Sequence, residues 1–475
     1  MSPGGADETT EERVEAAVSR EPPPPLRPLR EASRSFLVGL GLIALAGLGV
    51  RVYFVLVGYA NYKIGGDAVF YHLQGWVIAD GHWFIDPGRF YYSHGRIVTG
   101  SAAHPPLYGM YLGLVSRLGF WSITAHRLAS CLLGTAAVVL IGLTGRKMAS
   151  ERVGLIAALL AALYANLWIN DGMLLSESMT ALTAALVLLA AYALWRRATF
   201  ANATWFGLAL GLATLSRAEI VLIAPLVTLP LVLGMRYFTL RRRVQMLGAI
   251  ALSTLVVVGP WVGYNMTRFA KPVTLTDSFG AVLSSASCDR TYYGKFAGWY
   301  FECYTFPHGD VPGDASQRDA VVRRDAVRYI RHHLHRLPVV MAMRVGRLWD
   351  VYRPGQTLYL NAVLEGRTRA ASRLAVISYW LMMPLAIAGL IVLRRRRIPI
   401  MPILGPVIGV TLAAAIFFGV LRYRVSAEPS IVLAAAVSVD VLWTSLVERR
   451  RARVPSGRRV SAPDPIPASA PAANT

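Results

Sequence analysis

The sequence has few acidic residues, few cysteines and little charge of either sign. Its 475 residues include only 27 Asp and Glu and three Cys, and charged residues make up 16% of the chain. Soluble domains carry about 25% charged residues, so a soluble enzyme of this length is excluded. Three cysteines are also too few for a disulfide-rich secreted scaffold or for a zinc-finger spacing.

Long apolar runs take the place of charge. Hydrophobic residues make up 55% of the chain and the mean hydropathy is +0.44. The runs are about 18 to 23 residues long, enough to cross the roughly 30 Å hydrocarbon layer as helices. We predict an all-α polytopic membrane protein with ten spans, at 36–57, 125–145, 153–170, 173–195, 199–216, 218–235, 245–265, 374–393, 398–420 and 428–447. The flanking segments, 1–35 and 448–475, are predicted to be disordered cytoplasmic tails.

The basic residues indicate the topology of these spans. The net charge of +22 comes from 49 Lys and Arg, and they cluster beside the apolar runs, which favours anionic lipid head groups over nucleic acid as their partner. The positive-inside rule places the clusters near 146–152, 196–197, 236–243, 394–397 and 449–459 on the cytoplasmic side. This requires that 104–119 does not cross the membrane. The segments 61–124 and 266–373 are then two large extracytoplasmic loops of a cytoplasmic-membrane protein.

An acidic residue stands early in the first of these loops, in the segment Gly65-Gly66-Asp67. Two glycines allow a tight turn, so the carboxylate can be presented at the outer mouth of the first helix. Asp67 is therefore a candidate general base for a hydroxyl held within hydrogen-bond reach. The alternative is that Asp67 caps a helix that starts near Ala68.

Short polar motifs follow in order at the predicted outer ends of helices: Gly66-Asp67, Tyr71-His72, His104-Pro105-Pro106-Leu107-Tyr108, Leu175-Ser176-Glu177-Ser178, the segment 211–217, Pro260-Trp261, Tyr264-Asn265 and Arg422-Tyr423-Arg424. In this order and sidedness the chain resembles the GT-C glycosyltransferases over roughly residues 36–447. Within them it is most similar to the branch of the protein O-mannosyltransferases and of the transferase that adds aminoarabinose to lipid A.

The resemblance implies a hexosyl or pentosyl transferase whose donor is a sugar on a polyprenyl phosphate. It implies that Asp67 deprotonates the hydroxyl of a lipid, cell-wall glycan or protein acceptor, with inversion at the anomeric carbon. It also places His104 at the donor site. The sequence has no Asp-x-Asp pair and no Gly-rich phosphate loop, and a donor carried in the bilayer by its own lipid needs neither.

Cations are needed to stabilise the leaving phosphate, and three arginines stand in short outer turns against the topological bias. Arg217, Arg422 and Arg424 are therefore predicted to bind phosphate, although a cation near the end of a helix is also favoured by the helix dipole. Glu177, at the start of a helix, is a candidate second acid that orients the acceptor, or simply a favourable charge at an N-terminus. His72 is a further candidate on the acceptor side.

Other features leave alternatives open. No cofactor is certain; a divalent metal ion stays an alternative because His and Asp residues share the first loop, but they lack tight ligand spacing. Cys288 and Cys303 share the second loop and could pair if it is extracytoplasmic. Trp299 and Tyr300 could stack on a sugar or belong to an aromatic belt.

The alternative functions are a transporter or flippase of lipid-linked envelope material and a non-catalytic lipid-binding scaffold. A transporter is expected to place ionisable groups near the midplane of its helices, and the predicted spans are nearly free of them. The sequence does not specify the sugar, the acceptor or the oligomeric state.

Overall fold

The computed structural model describes residues 31–60, 62–303 and 313–453, without the side chains of residues 450–453. Within these ranges the chain forms helices and no strand, and Ile85 and Gly100 make an isolated antiparallel bridge. The predicted all-α class is confirmed. Most of the two predicted tails, 1–35 and 448–475, lies outside the described residues, and their described parts lead into the first helix and out of the last.

The helices in the described part of the chain are α1 (Arg34–Tyr53), α2 (Asp67–Ala79), α3 (Pro87–Tyr92), α4 (Pro106–Arg117), α5 (Ile123–Met148), α6 (Glu151–Leu163), α7 (Ala165–Met173), α8 (Glu177–Arg196), α9 (Phe200–Ser216), α10 (Ile220–Leu233), α11 (Leu240–Arg268), α12 (Phe279–Ser285), α13 (Asp289–Tyr292), α14 (Ala315–His332), α15 (Leu337–Leu348), α16 (Pro354–Val363), α17 (Arg369–Arg395), α18 (Met401–Ile416) and α19 (Glu428–Arg453). A π-helical turn, Phe54–Gly58, extends α1, and a 3-10 helix, Leu421–Ser426, joins α18 to α19.

Short hydroxyl side chains begin many of the long helices. Ser122, Ser150, Thr199, Thr239 and Thr368 each accept a hydrogen bond from the backbone N–H three residues further on. Such a cap satisfies a donor that the helix itself leaves unpaired. The turns between the helices are therefore defined by local sequence.

The predicted membrane helices are present, but they are not all equally long. Among the described residues, six are long and apolar enough to cross a membrane: α1 with its π-helical turn, α5, α8, α11, α17 and α19. The bent pair of α6 and α7 would be a seventh span, and α9, α10 and α18 are apolar but shorter. The chain is thus a multi-pass membrane protein, and the predicted count of ten crossings is not confirmed by length and composition.

One predicted span is not a single helix. The apolar pattern predicted a helix over 153–170, but the chain breaks at Tyr164, and α6 and α7 enclose a bend of 47°. The hydroxyl of Tyr164 donates to Glu428 Oε2 at 2.8 Å. Beyond the break, Asp171 on α7 forms a buried ion pair with Arg51 Nε at 2.9 Å and accepts a hydrogen bond from Ser178. The break is stabilised by partners distant in sequence, which hydrophobic periodicity does not reveal.

The turns between the membrane helices gather at two ends of the bundle. At one end the basic turns meet: Arg196 Nε donates to the carbonyl of Lys147 at 2.8 Å, and the Arg242 guanidinium lies 5.8 Å from the ring centroid of Phe200. The other end holds the starts of α2 and α8, the residue after α9 and the 3-10 helix, which surround one cavity. The basic turns and the candidate active-site residues thus lie at opposite ends of the bundle.

The second predicted loop folds into helices α12 to α16. A disulfide joins Cys288 and Cys303 within it, with their Cα atoms 5.8 Å apart. Trp299 beside this bridge is fully buried, whereas Tyr300 faces the cavity. The segment before α12 and one face of α14 complete the cavity wall.

Candidate active site

Helix ends from both halves of the chain converge on a cavity of about 910 Å³. Five residues that the sequence singled out line it: Asp67, His104, Glu177, Arg217 and Arg422. Each comes from a different segment, because α2, α4, α8, α9 and the 3-10 helix all begin or end there. The fold therefore brings together side chains that are widely separated along the chain.

Asp67 is presented by a tight backbone turn. Gly66 has φ of +52°, a left-handed conformation that glycine adopts without a Cβ penalty, and it is the N-cap of α2. The Asp67 carboxylate accepts a hydrogen bond from Arg422 Nη1 at 2.8 Å, and His104 Nε2 lies 3.6 Å from its other oxygen. Among the described residues, no backbone N–H of α2 donates to Asp67. The Asp67 carboxylate therefore does not cap α2 by a hydrogen bond, as the alternative interpretation expected.

The charges around Asp67 determine its protonation. Burial raises the pKa of the Asp67 carboxyl, but the Arg422 guanidinium and His104 outweigh burial, and the pKa lies well below its ordinary value. The side chain is 34% exposed, toward the cavity. Asp67 is thus an accessible carboxylate that is ionised throughout the neutral range and engaged by a cation.

A second ion-pair group lies beside the first. Arg217 Nη1 donates to Glu177 Oε1 at 2.8 Å, and Arg217 also pairs with Glu219. The Arg217 guanidinium lies 4.6 Å from the ring centroid of Tyr423. Arg422 Nε is 4.0 Å from Glu177, so the two groups form one continuous network.

Two further residues contact this network. Glu365 was not predicted as a site residue, and Tyr300 was named for another role. Glu365, between α16 and α17, lies with Oε2 3.3 Å from Arg422 Nε and is 3% exposed. The Tyr300 hydroxyl donates to Glu365 Oε1 at 2.6 Å. Tyr300 was predicted to stack on a sugar or to belong to an aromatic belt, and no local motif marks Glu365, which stands alone in a polar connection. Its contact with Arg422 exists only in the tertiary structure.

The network carries an excess of acid. Counted over the residues joined to Arg217 and Arg422 by ion pairs, four carboxylates face two guanidinium groups, an excess of two negative charges when all four are ionised. These residues, here called the polar cluster, are Asp67, Glu177, Glu219, Glu365, Arg217 and Arg422. The buried Arg367 lies outside this count, and its charge also acts on Glu365 and Glu177. Both arginines of the polar cluster are already engaged by carboxylates. An anion that enters the cavity meets guanidinium groups that are already paired, and where it takes the N–H group held by a carboxylate, that carboxylate is released from its ion pair.

Two of the predicted site residues are placed elsewhere. Arg424 is fully buried between Asp350 (3.2 Å) and Glu428 (2.7 Å), with its guanidinium 3.7 Å from the ring centroid of Tyr379. The 3-10 helix explains the difference, because it turns Arg422 toward the cavity and Arg424 into the bundle. Among the described residues that line the cavity, Arg422 is present and Arg424 is not.

His72 lies on the far side of α2 from the cavity. Its Nδ1 is 3.1 Å from Nδ1 of His126, and His126 Nε2 is 2.9 Å from the hydroxyl of Ser116. Burial, with a contribution from Arg127, lowers the pKa of His72 to about 4, so the ring is neutral at pH 7. The structure does not bring His72 to Asp67.

The metal alternative has no ligand set in the described part of the chain. There, no group of three or more His, Cys, Asp or Glu side chains is arranged to hold a metal ion. The acids of the polar cluster are taken up by Arg217 and Arg422 instead.

One side of the cavity is apolar. Val221 and Leu222 from α10 and Ala413, Ile416 and Phe417 from the end of α18 line it. Charged residues line the same cavity, among them Asp67 and Glu177 at the starts of α2 and α8. The cavity thus combines an apolar wall, contributed by two apolar helices, with a cluster of charges, which suits a ligand that is part lipid and part polar.

Comparison with known proteins bears on the sequence of part of the chain and on its fold. Residues 103–264, 162 of the 475, match the sequence profile of the family described as dolichyl-phosphate-mannose-protein mannosyltransferase. No curated protein matches the chain in sequence.

Solved structures resemble it more extensively. The archaeal oligosaccharyltransferase AglB from Archaeoglobus fulgidus, in complex with an inhibitory peptide and a dolichol-phosphate, superposes with a TM-score of 0.53 at 16% identity, over 90% of this chain and 52% of that one. The same enzyme tethered to an acceptor peptide gives 0.53 at 16% identity, over 88% and 51%. ArnT from Cupriavidus metallidurans bound to undecaprenyl phosphate gives 0.42 at 17% identity, over 88% and 80%.

The chain therefore has the fold of a GT-C glycosyltransferase. It spans about half the length of the AglB structures that it matches. The profile match and the fold together confirm the resemblance predicted from the order of the motifs. The protein is a multi-pass membrane protein that is glycosyltransferase-like in fold and in the sequence of residues 103–264.

Proposed function

We propose that this protein transfers a sugar from a polyprenyl phosphate to a hydroxyl group on a lipid, a cell-wall glycan or a protein. The reaction takes place at the outer face of the cytoplasmic membrane, and Asp67 is the general base. The unit that carries it is the membrane domain, residues 36–447, with 1–35 and 448–475 as cytoplasmic tails.

One observation carries the proposal: a carboxylate, Asp67, and two arginines, Arg422 and Arg217, meet in one cavity that also has an apolar wall. A base is needed for the acceptor hydroxyl, cations for a leaving phosphate, and an apolar surface for a polyprenyl chain. The similar structure of AglB supports the donor class, since that protein was solved in complex with a dolichol-phosphate.

The proposed reaction is a single displacement. The acceptor oxygen attacks the anomeric carbon and passes its proton to Asp67, while the bond from the anomeric carbon to the phosphate oxygen breaks. The electron pair of that bond stays on the leaving polyprenyl phosphate, whose charge is stabilised by Arg422 and Arg217, with His104 as a further donor. Attack opposite the leaving group inverts the anomeric centre. Glu177, bound to Arg217, keeps that cation in place.

The transporter alternative has less support. The intramembrane ion pair of Arg51 and Asp171 is 1% and 0% exposed, and neither residue lines the cavity. A transport path requires ionisable groups that a substrate can reach. Among the described residues, the charges that line the cavity instead lie at one end of the bundle, where an acceptor would meet a lipid-linked donor.

The test is sugar transfer by purified protein in lipid, from a panel of polyprenyl-phosphate hexoses and pentoses, with a cell-envelope extract as acceptor. We expect transfer by the wild type and a loss of about 100-fold or more in Asp67→Asn, since general bases contribute roughly 10²- to 10⁴-fold. Asp325→Asn, which removes the charge of an exposed acid paired with Arg328, is the matched control and should keep the wild-type rate. Equal transfer by wild type and Asp67→Asn would contradict the assignment of the base.

A further inference from the structure

Three carboxylates lie beside Arg422, and the two nearest hold it in two different ways; the third, Glu177, is 4.0 Å from Nε and accepts a hydrogen bond from Arg217 instead. Arg422 Nη1 donates a hydrogen bond to Asp67 at 2.8 Å, whereas its Nε lies 3.3 Å from Glu365 as an ion pair. This Nε is buried and makes no hydrogen bond to any described residue. The contact with Asp67 is therefore directed, and the contact with Glu365 is held by charge alone.

The two carboxylates also differ in access. Asp67 is 34% exposed and lines the cavity, whereas Glu365 is 3% exposed and lies behind Arg422, outside the cavity lining. Glu365 is fixed from its other side by the hydroxyl of Tyr300, 2.6 Å away. Burial raises the pKa of the Tyr300 phenol, so this hydroxyl keeps its proton and stays a donor. A ligand in the cavity can reach Asp67 but not Glu365.

We infer that Glu365 is a positioning residue that retains Arg422 when a phosphate displaces the carboxylate of Asp67. The inference rests on the proposed function. When the donor phosphate takes the Nη groups of Arg422, the guanidinium turns its free Nε–H onto Glu365. Asp67 is then released as a base, and Arg422 stays on the leaving group.

The charges explain why one carboxylate alone does not suffice. If Asp67 were the only anion beside Arg422, the guanidinium would bridge Asp67 and the phosphate, and Asp67 would stay a weak base. Glu365 supplies the replacement charge from a position that the ligand does not reach. Donor binding and release of the base thereby become one event, because both depend on the same guanidinium.

The experiment compares Glu365→Gln, Glu365→Asp and Tyr300→Phe with the wild type. Two quantities are measured in lipid: the affinity for undecaprenyl phosphate and kcat for sugar transfer at saturating donor. The matched controls are Asp289→Asn and Tyr329→Phe, because the Tyr329 hydroxyl donates to Asp289 at 2.7 Å in an exposed pair that does not line the cavity.

We expect Glu365→Gln to lower kcat about 10- to 100-fold, part of what a general base contributes. The affinity for undecaprenyl phosphate should be unchanged or tighter, because the polar cluster loses one negative charge. Glu365→Asp should recover part of the rate. Tyr300→Phe should lower kcat by less, and in the double variant it should add little to Glu365→Gln, since both act through one carboxylate.

A wild-type kcat in Glu365→Gln would overturn the inference. A parallel loss of affinity and kcat would also overturn it, because that pattern indicates general structural damage. If Glu365→Gln does not fold, Tyr300→Phe must still show a lower kcat at unchanged affinity, or the inference fails. A wild type that neither binds undecaprenyl phosphate nor transfers sugar would refute the proposed function itself, a result distinct from all of these.

Discussion

Arg422 offers a sharp test of the site because it contacts both the proposed base and the proposed leaving group. Arg422→Gln removes one of the two cations of the polar cluster, so the excess of negative charge rises from two to three. A hydrogen bond to a charged group contributes about 1.5–3 kcal/mol, so we expect the affinity for polyprenyl phosphate to fall about 10- to 100-fold. Loss of a preorganised cation at a developing charge lowers kcat by about 10²- to 10³-fold.

The same variant changes the pH dependence in a defined direction. In the wild type, Arg422 and His104 outweigh burial and hold the pKa of Asp67 below its ordinary value. Without Arg422, burial dominates and this pKa rises. A general base acts when deprotonated, so activity is lost as the pH falls through its pKa. We therefore expect the acid limb of kcat/KM, which reports the free enzyme, to move to higher pH in Arg422→Gln.

Because the wild-type pKa of Asp67 lies below its ordinary value of about 3.9, Asp67 should give the wild type no acid limb above about pH 4, whereas a limb should enter this range in Arg422→Gln. The assay is kcat/KM for sugar transfer from about pH 4 to pH 8. It is paired with binding of undecaprenyl phosphate at one pH. Arg328→Gln is the control, because Arg328 forms an exposed ion pair with Asp325. Wild-type donor affinity together with an unmoved acid limb in Arg422→Gln would refute the reasoning, since it would show that this guanidinium touches neither the base nor the phosphate.

Two further predictions separate structural charges from functional ones. Arg424→Gln should leave donor affinity within about 2-fold of the wild type but lower stability by roughly 3–5 kcal/mol, because it leaves Asp350 and Glu428 buried without their cation; selective loss of donor binding at unchanged stability would restore its predicted role in phosphate binding. Arg51→Ala should cost a similar roughly 3–5 kcal/mol in thermal unfolding in lipid, because Asp171 is then left uncompensated in the bundle, and an unchanged melting temperature would contradict this.

Much of the fold could be predicted because membrane helices depend on local rules. Apolar length defines a span, hydroxyl caps define its start, and basic turns mark one side. The break at Tyr164 was not predicted, since the polar contacts of Asp171 and Tyr164 join segments far apart in sequence. A hydropathy pattern is the same for a straight helix and for one bent by such contacts.

The candidate site was predictable where a single residue stands out from its local sequence. Asp67 follows two glycines, and Arg217 and Arg422 stand at the end where basic residues are scarce. Arg424 also stands at the end where basic residues are scarce, but for a different reason, since it is paired inside the bundle with Glu428 and Asp350. Local sequence does not distinguish Arg422, which faces a cavity, from Arg424, which stands two residues further on and neutralises buried acids.

The sequence by itself thus determined the membrane class, the order of the helices, the resemblance to the GT-C glycosyltransferases and the candidate base. Only the tertiary structure decided which charges meet: Arg422 with Asp67 and Glu365, Arg217 with Glu177, and Arg424 with none of these three carboxylates. The physical reason is range. Helix formation and membrane sidedness depend on neighbours within a turn or a short loop, whereas an ion pair depends on where two distant helix ends arrive when the bundle packs.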